Sequence, residues 1–195
     1  MAINPLLTSI DQQPSSVSTT IAIRAERPSD APLIAEVVKR AYADVAYSDH
    51  REHLMIERLR STDAFLTDLS LLAEIGDETV GHVLLTKARI INRDTIVDTL
   101  ALAPLSVVPE HQGRGVGRSL IEAAHLRAAA LGFGSIVLVG IPGYYPRFGY
   151  APLDRYPITL PFSAPADNCM VLPLSPQSLV GVSGIVEYPP GWLEH

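Results

Sequence analysis

Proline has no backbone N–H to give to a ladder or a helix interior, so its placement decides where this 195-residue chain can be regular. None of its 16 prolines falls between Leu33 and Ala103, and twelve lie from Pro104 onward. The first half can therefore carry long elements, while the second is interrupted repeatedly. Hydrophobic residues make up 47%, enough for the core of one domain, and charged residues only 18%, too few for a disordered chain.

A net charge of −6 argues against a sequence-independent nucleic-acid binder, which needs a basic face to displace counterions. It leaves room for a cationic small partner. The lone Cys169 excludes an internal disulfide and a cysteine-based zinc cluster. Six histidines are scattered, and His50 with His53 at i, i+3 makes no ligand set alone, so no metal is expected. No apolar run approaches the roughly 20 residues that span a bilayer, and no charged-then-apolar signal opens the chain. A cytoplasmic protein with no membrane partner is the expectation.

Residues 1–20 are polar and read as a flexible leader. Leu193-Glu194-His195 resembles the start of an appended purification tag. Thr20 to Glu26 alternates as a first strand; Ser29 or Asp30 then caps a helix reaching about Tyr42, with Leu33, Ile34, Val37, Val38 and Ala41 along one side. A more polar helix is predicted over Glu52 to Arg60. Ser70–Ile75 and Thr79–Thr86 form a hairpin about Gly76-Asp77, and a further strand runs from about Thr95 to Val107. Pro104 inside that strand predicts a bulge or a splayed edge. Gly115 to Leu131 is the clearest helix, with Val116, Leu120, Ala124, Ala128 and Leu131 as its apolar stripe. Ser135–Val139 reads as a strand buried on both faces, residues 142–148 as a turn or two of helix, and Cys169–Leu174 as a last strand. The order is that of a mixed α/β domain over 21–175, followed by an extended segment over 176–195.

The segment that carries chemistry is Val107-Val108-Pro109-Glu110-His111-Gln112-Gly113-Arg114-Gly115-Val116-Gly117-Arg118. A strand ends, a glycine-rich loop follows, and a strong helix begins. Amides in such a loop and in the first helical turn lack intrahelical partners, and the helix dipole adds positive charge, so the segment suits a phosphate or pyrophosphate. The dinucleotide fingerprint fails because Arg118 stands where its third glycine belongs. The P-loop pattern fails because Gln112 stands at its first glycine and Arg118 at its lysine.

Gln112, Gly115 and Gly117 instead fill the pattern Q/R-x-x-G-x-G/A. With the preceding Leu105-Ser106-Val107-Val108-Pro109-Glu110, the segment closely resembles the GNAT superfamily of acyl-CoA-dependent N-acyltransferases. About 30 residues later, Tyr145-Pro146-Arg147-Phe148-Gly149-Tyr150 matches the family's Y-x-x-x-G-[F/Y] ending. The resemblance spans about residues 21 to 175. It implies a three-layer mixed α/β fold, with a mostly antiparallel central sheet flanked by helices and splayed at the acetyl-CoA site.

It also implies roles. Main-chain groups of Leu105, Ser106 and Val107 would pair with the pantetheine arm as an added strand would, and the Pro104 bulge would free an N–H for the thioester oxygen. The amides of Gly113, Arg114, Gly115, Val116, Gly117 and Arg118, with Gln112 in the loop, would receive the pyrophosphate. Arg114 or Arg118 would add charge-assisted contacts or remain a solvated charge. Amide formation from a thioester needs an uncharged amine, a stabilised oxyanion and a proton for the departing thiolate. Tyr145 stands where the family carries its general-acid tyrosine, and Tyr144 is the adjacent contender. Tyr150 is expected in the core.

The general base does not carry over. Many relatives place a carboxylate where this chain reads Leu100-Ala101-Leu102-Ala103; Asp98 is the nearest acid, Glu110 belongs to the loop, and His82, His111 or bound water remain open. Tyr42, Tyr47, Asp49, His50 and Glu52 cluster where relatives shape the acceptor pocket, and would suit a small-molecule or peptide amine. Gly184–Pro190 is expected to cover the core or to join a neighbouring subunit of a homodimer. The reading is an acetyl-CoA-dependent N-acetyltransferase; the alternative is a non-catalytic acyl-CoA-binding module.

Overall fold

The proline-free stretch becomes two helices and the longest strands of the sheet. A computed structural model describes residues 20–46 and 48–193, so the expected leader apart from Thr20, together with Tyr47, Glu194 and His195, lies outside the described residues. Strand β1 (Ile21–Ala25) is antiparallel to β2 (Phe65–Ile75), which turns through Gly76 into β3 (Glu78–Ile91). Strand β3 in turn pairs with β4 (Ile96–Val107). Both arms of the predicted hairpin are longer than expected. The start of β2 is irregular, with a register shift between Phe65 and Ser70, which hides it from a periodicity test. Beyond Thr86, β3 alternates exposed Lys87 and Arg89 with buried Ala88 and Ile90, as a strand with one wet face must.

Beyond β4 lie β5 (Ser135–Val139), parallel to it, then β8 (Cys169–Pro173) and β6 (Ala151–Pro152), both in antiparallel pairs. The short strands β6 and β7 (Ile158–Thr159) escape sequence reading, while the expected extended segment supplies β9 (Gly184–Glu187), which pairs with β7 and adds antiparallel to β3 at Arg89–Ile91. The sheet is thus mixed and mostly antiparallel.

Helix α1 (Ala31–Tyr42) and helix α2 (Glu52–Arg60) cover one face, and α3 (Val116–Ala130), between β4 and β5, covers the other. Val116, Leu120, Ile121, Ala124 and Ala128 of α3 pack on Leu71, Val83, Leu85 and Leu100. Leu131 of the expected stripe is exposed instead, because the helix ends at Ala130 and Gly132 turns the chain away (φ +85°). On the other face, Ile34 and Val38 of α1 and Ile56 and Leu59 of α2 meet Leu72 and Leu84. Full burial of each such side chain contributes about 1.5–3 kcal/mol. The proline-rich second half closes a third cluster, in which Leu153, Ile158 and Val186 cover Ala101, Val137 and Val171. Strand β5 is buried except at Val139, which is exposed. No helix among the described residues is long and apolar enough to cross a membrane.

Two buried ionic groups pin the helices. Asp30 takes the N-cap position of α1, but its carboxylate accepts from the Arg27 amide and the Arg24 guanidinium rather than from the helix. Arg24 beside it holds that carboxyl below its ordinary pKa. Deeper, Glu26 accepts from Arg60 Nε (2.6 Å) and from the Ser70 hydroxyl, and Ser70 Oγ lies 2.9 Å from His82 Nε2. Because Ser70 spends its one proton on Glu26, His82 must donate from Nε2 and is neutral. Full burial agrees, pushing His82 down to about 3; burial also pushes His125, which meets Tyr150 Oη at 3.1 Å, down to about 4.

Removing one partner of a buried pair strands the other charge. Arg60→Met is expected to cost about 3 kcal/mol, read as a lower urea midpoint at unchanged slope. A midpoint within error of wild type would show that Glu26 does not depend on Arg60. The two histidines set an acid limb. With folded values near 3 and 4, below the ordinary 6.5, they are protonated first in the unfolded chain. Their contribution is therefore complete above pH 6.5 and is lost as the pH falls toward 3–4, each adding a slope of up to about 1.4 kcal/mol per pH unit. His125→Gln is expected to flatten this fall in urea titrations between pH 6.5 and 4; an unchanged slope would count against it.

Candidate active site

Strand β4 is paired with β3 from Ile96 to Val107, but with β5 only at Leu100↔Ile136 and Ala101↔Val137. Strand β5 keeps to β8 as far as Val139↔Cys169, so the two strands part and the β5-side edge of β4 is left without a neighbouring strand from Leu102 onward. The register explains how β4 bends away. Two steps along β3, from Val83 to Leu85, face three along β4, from Leu105 to Leu102. The extra residue falls at Ala103-Pro104, whose peptide bond is cis. Pro104 thus sits at the bulge that its missing N–H led one to expect.

The chain then leaves β4 through a 3-10 turn (Pro109–His111) into the glycine loop. Gly113 (φ +72°) and Gly115 (φ +88°) both hold left-handed backbone, and a Cβ added to either would meet nothing within 4 Å. The loop therefore presents bare backbone to open space. After Gln112, the first amide to make a well-formed hydrogen bond to a loop carbonyl is that of Ser119, onto Gly115 O (3.0 Å). The amides of residues 113–118 remain available to an anion at the N-terminus of α3. Gln112 Nε2 donates to Val107 O (3.0 Å), tying the loop to the end of β4. Arg114 is exposed, and exposed Arg118 reaches only Glu122, at 4.0 Å.

Between the parted strands lies a cavity of about 790 Å³. Leu105, Val107, Gly113 and Gly117 line one side, Val139 to Pro142 with Tyr144 and Tyr145 the other, and Ala41, Tyr42 and Val45 at the end of α1 close it. Tyr42 Oη donates to Leu105 O (3.4 Å), placing the end of α1 over the end of β4. A larger groove, about 1000 Å³, lies at the opposite end of the sheet among Lys87, Arg89, Asp98 and Pro189, away from the glycine loop and from Tyr144 and Tyr145.

The two tyrosines open a short 3-10 turn (Tyr145–Phe148) that Gly149 (φ +93°) ends. Tyr145 is buried and packs on Gly140, where an added Cβ would come within 2.3 Å of its ring. Tyr150 is buried in the core, as expected. Neither Gly140 nor Asn168, whose carbonyl accepts from the Gly140 amide (2.9 Å), stood out in the sequence; both line the cavity through a loop-to-loop contact that no local pattern encodes.

The candidate bases do not gather here. Asp98 lies at the far end of β4 opposite Arg89, and exposed Glu110 pairs with Arg40 (3.1 Å). His111 Nε2 is 3.6 Å from Glu78, and His82 is wholly buried in the Glu26–Ser70 network. Of the acceptor cluster, only Tyr42 lines the cavity among the described residues. Asp49 and Glu52 accept locally, from the Arg51 amide (3.0 Å) and the Ser48 hydroxyl, and His50 Nδ1 is 2.9 Å from Tyr42 O. These hydrogen bonds tie the α1–α2 connection together. Among the described residues no group of three His, Cys, Asp or Glu side chains is placed to hold a metal ion.

Comparison with known proteins agrees with this geometry. The profile of the Acetyltransferase (GNAT) domain matches residues 22–153. The uncharacterized N-acetyltransferase YjhQ of Escherichia coli is 33% identical over 159 residues, covering 78% of this chain and 85% of its own. A GNAT family acetyltransferase from Brucella melitensis, solved in complex with acetyl-CoA, superposes with a TM-score of 0.70 at 29% identity, covering 89% of this chain and 99% of its own. The fold is also that of Escherichia coli YhbS in complex with CoA (TM-score 0.80, 23% identity, 89% and 92% covered). With the family profile spanning most of the chain and a named N-acetyltransferase 33% identical to it, this chain is an acyltransferase and belongs to the GNAT acetyltransferase family.

Proposed function

We propose that the chain moves an acetyl group from acetyl-CoA to a primary amine by direct attack in a ternary complex. The observation that carries this reading is the continuity of the β4 edge with the loop. The edge of β4 that β5 leaves unpaired, Leu102 to Val107, leads through the 3-10 turn at Pro109–His111 to the unpaired amides of 113–118. An extended amide-bearing arm can add to the first as a strand does, while its diphosphate rests on the second. The acetyl-CoA complex of the Brucella relative supports that choice of donor. Leu105, Ser106 and Val107 would hold the pantetheine arm, Gly113 to Arg118 the pyrophosphate, and Gln112 the angle between them. Tyr145, on the cavity wall, would donate its phenolic proton to the departing thiolate.

An acyl-enzyme is disfavoured. The Cys169 thiol donates to Pro165 O (3.4 Å), and burial pushes its pKa up, so it is not an activated nucleophile. The cavity lining includes no Asp, Glu or His among the described residues. The attacking amine would therefore shed its proton to water, not to a side chain. That same gap is what favours the rival reading, a module that binds acyl-CoA without turning it over. Release of free thiol from acetyl-CoA on adding amines separates the two, and its absence across a broad amine screen would favour the rival.

Tyr145→Phe is expected to lower kcat by about 10²-fold while changing the KM for acetyl-CoA little. Unaltered turnover would remove Tyr145 from the chemistry. With no side-chain base, kcat/KM is expected to rise with pH along the ionisation of the acceptor itself. Two acceptors of different amine pKa should then give two different midpoints; one midpoint shared by both would reveal an enzymic base.

A further inference from the structure

Tyr144 and Tyr145 are neighbours, yet they address different partners. The Tyr145 ring leans edge-on against Tyr150 (centroids 5.6 Å apart) and lies on Gly140. The Tyr144 hydroxyl instead crosses to the first turn of α3, where a Cβ at Gly117 would lie 2.5 Å from it. Gly117 thus leaves room for this phenol as well as for whatever the loop binds. The aim of the ring is set on three sides: the Tyr145 edge at 5.2 Å, the Phe148 edge at 5.3 Å, and the Arg147 guanidinium stacked 4.8 Å over its face. Arg147 is itself fixed, with Nε donating to Tyr144 O (2.9 Å) and Nη2 to Gly143 O (3.0 Å).

So held, the Tyr144 hydroxyl makes no hydrogen bond to another described residue. Burial raises its pKa, against the opposing pull of Arg147 and Arg118, so it keeps its proton at neutral pH. An aimed, unused O–H donor stands beside Gly117, within the 113–118 run of unused amides, with Arg147 and Arg118 acting on it. A neutral acceptor would leave most of these donors unmet, whereas an oxyanion with several lone pairs meets them together.

We propose that Tyr144 donates its phenolic hydrogen bond to the diphosphate of the acyl donor, and is a binding residue of that group rather than a second candidate for the acid. This rests on acetyl-CoA being the donor. It divides the tyrosine pair: Tyr145 serves the thioester end and Tyr144 the phosphate end of one ligand.

The test is calorimetric titration of the full chain and of Tyr144→Phe with three probes: CoA, 3′-dephospho-CoA and phosphate-free pantetheine. The phenyl ring keeps the packing against Tyr145, Phe148 and Arg147, so the variant removes the donor alone. Its Kd is expected to rise about tenfold or more for CoA and for 3′-dephospho-CoA, and to stay within about twofold for pantetheine. An unchanged Kd for CoA would overturn the proposal. So would an equal loss with pantetheine, which would point to packing, or a loss confined to CoA, which would point to the 3′-phosphate. Failure of the wild-type chain to bind CoA at all would instead remove the donor reading beneath it.

Discussion

The site exists because β4 is held along one edge only. Its pairing with β3 continues to Val107, which keeps the strand straight enough to aim the glycine loop, while its pairing with β5 stops at Ala101. A strand edge inside a protein is unstable unless something takes its hydrogen bonds. Here β5 follows β8 to Val139 and diverges from β4, so the gap stays open. An extended occupant rich in amides or carbonyls, as the proposed function supplies, would meet the hydrogen bonds of this edge. That demand is made by backbone alone, which is why the side chains of Leu105, Ser106 and Val107 reveal so little of it.

The layer behind this edge has to be rigid, and the buried network supplies that. Arg60 from α2, Glu26 from the end of β1, Ser70 from β2 and His82 from β3 join four elements through consecutive polar contacts. His82 stands opposite Ser106 in the β3–β4 register, on the strand whose edge is left open. With Nε2 committed to Ser70, its Nδ1 is left as an acceptor, and the Ser106 hydroxyl is likewise buried without a partner among the described residues. A neutral histidine is what this position needs, since a charged one would lie near Arg60 in a dry interior.

The sequence was most legible where local rules decide the outcome. Helix α2 runs over Glu52–Arg60 and β4 ends at Val107, as the sequence predicts, and α3 at Val116–Ala130 falls within one residue of the expected bounds at each end. Pro104 announced a bulge through chemistry alone. What stayed hidden depends on distant partners. The two-residue strands β6 and β7 and the four-residue β9 have no periodicity to detect; they exist because β8 accepts β6, β3 accepts β9, and β9 in turn accepts β7. Composition marks the acidic residues after α1 as suited to a cationic amine, but does not reveal the short-range hydrogen bonds that Asp49 and Glu52 accept from Arg51 and Ser48. In the tyrosine pair, sequence offers two phenols, and only the turn at Gly149 with the stacked Arg147 decides which way each one points.

Proline placement and the opening of the sheet are one constraint seen at two scales. Without proline, residues 33–103 complete both helices of one layer and the long ladders of β2, β3 and most of β4. The first proline after that stretch, Pro104, falls where β4 shifts register, and the next, Pro109, starts the turn into the anion loop. Pro142 and Pro146 flank the tyrosines in the loop that leaves β5, so neither can extend a ladder back across the cavity. Pro152 sits on the short terminal strand β6, where a missing N–H costs little. Pro104, Pro142 and Pro146 each lack the N–H with which a ladder across the gap could be continued. A cavity between parted strands has to resist its own repair by strand pairing, and a chain that keeps proline out of its scaffold and places it around the gap does so with no buried charge in the cavity wall.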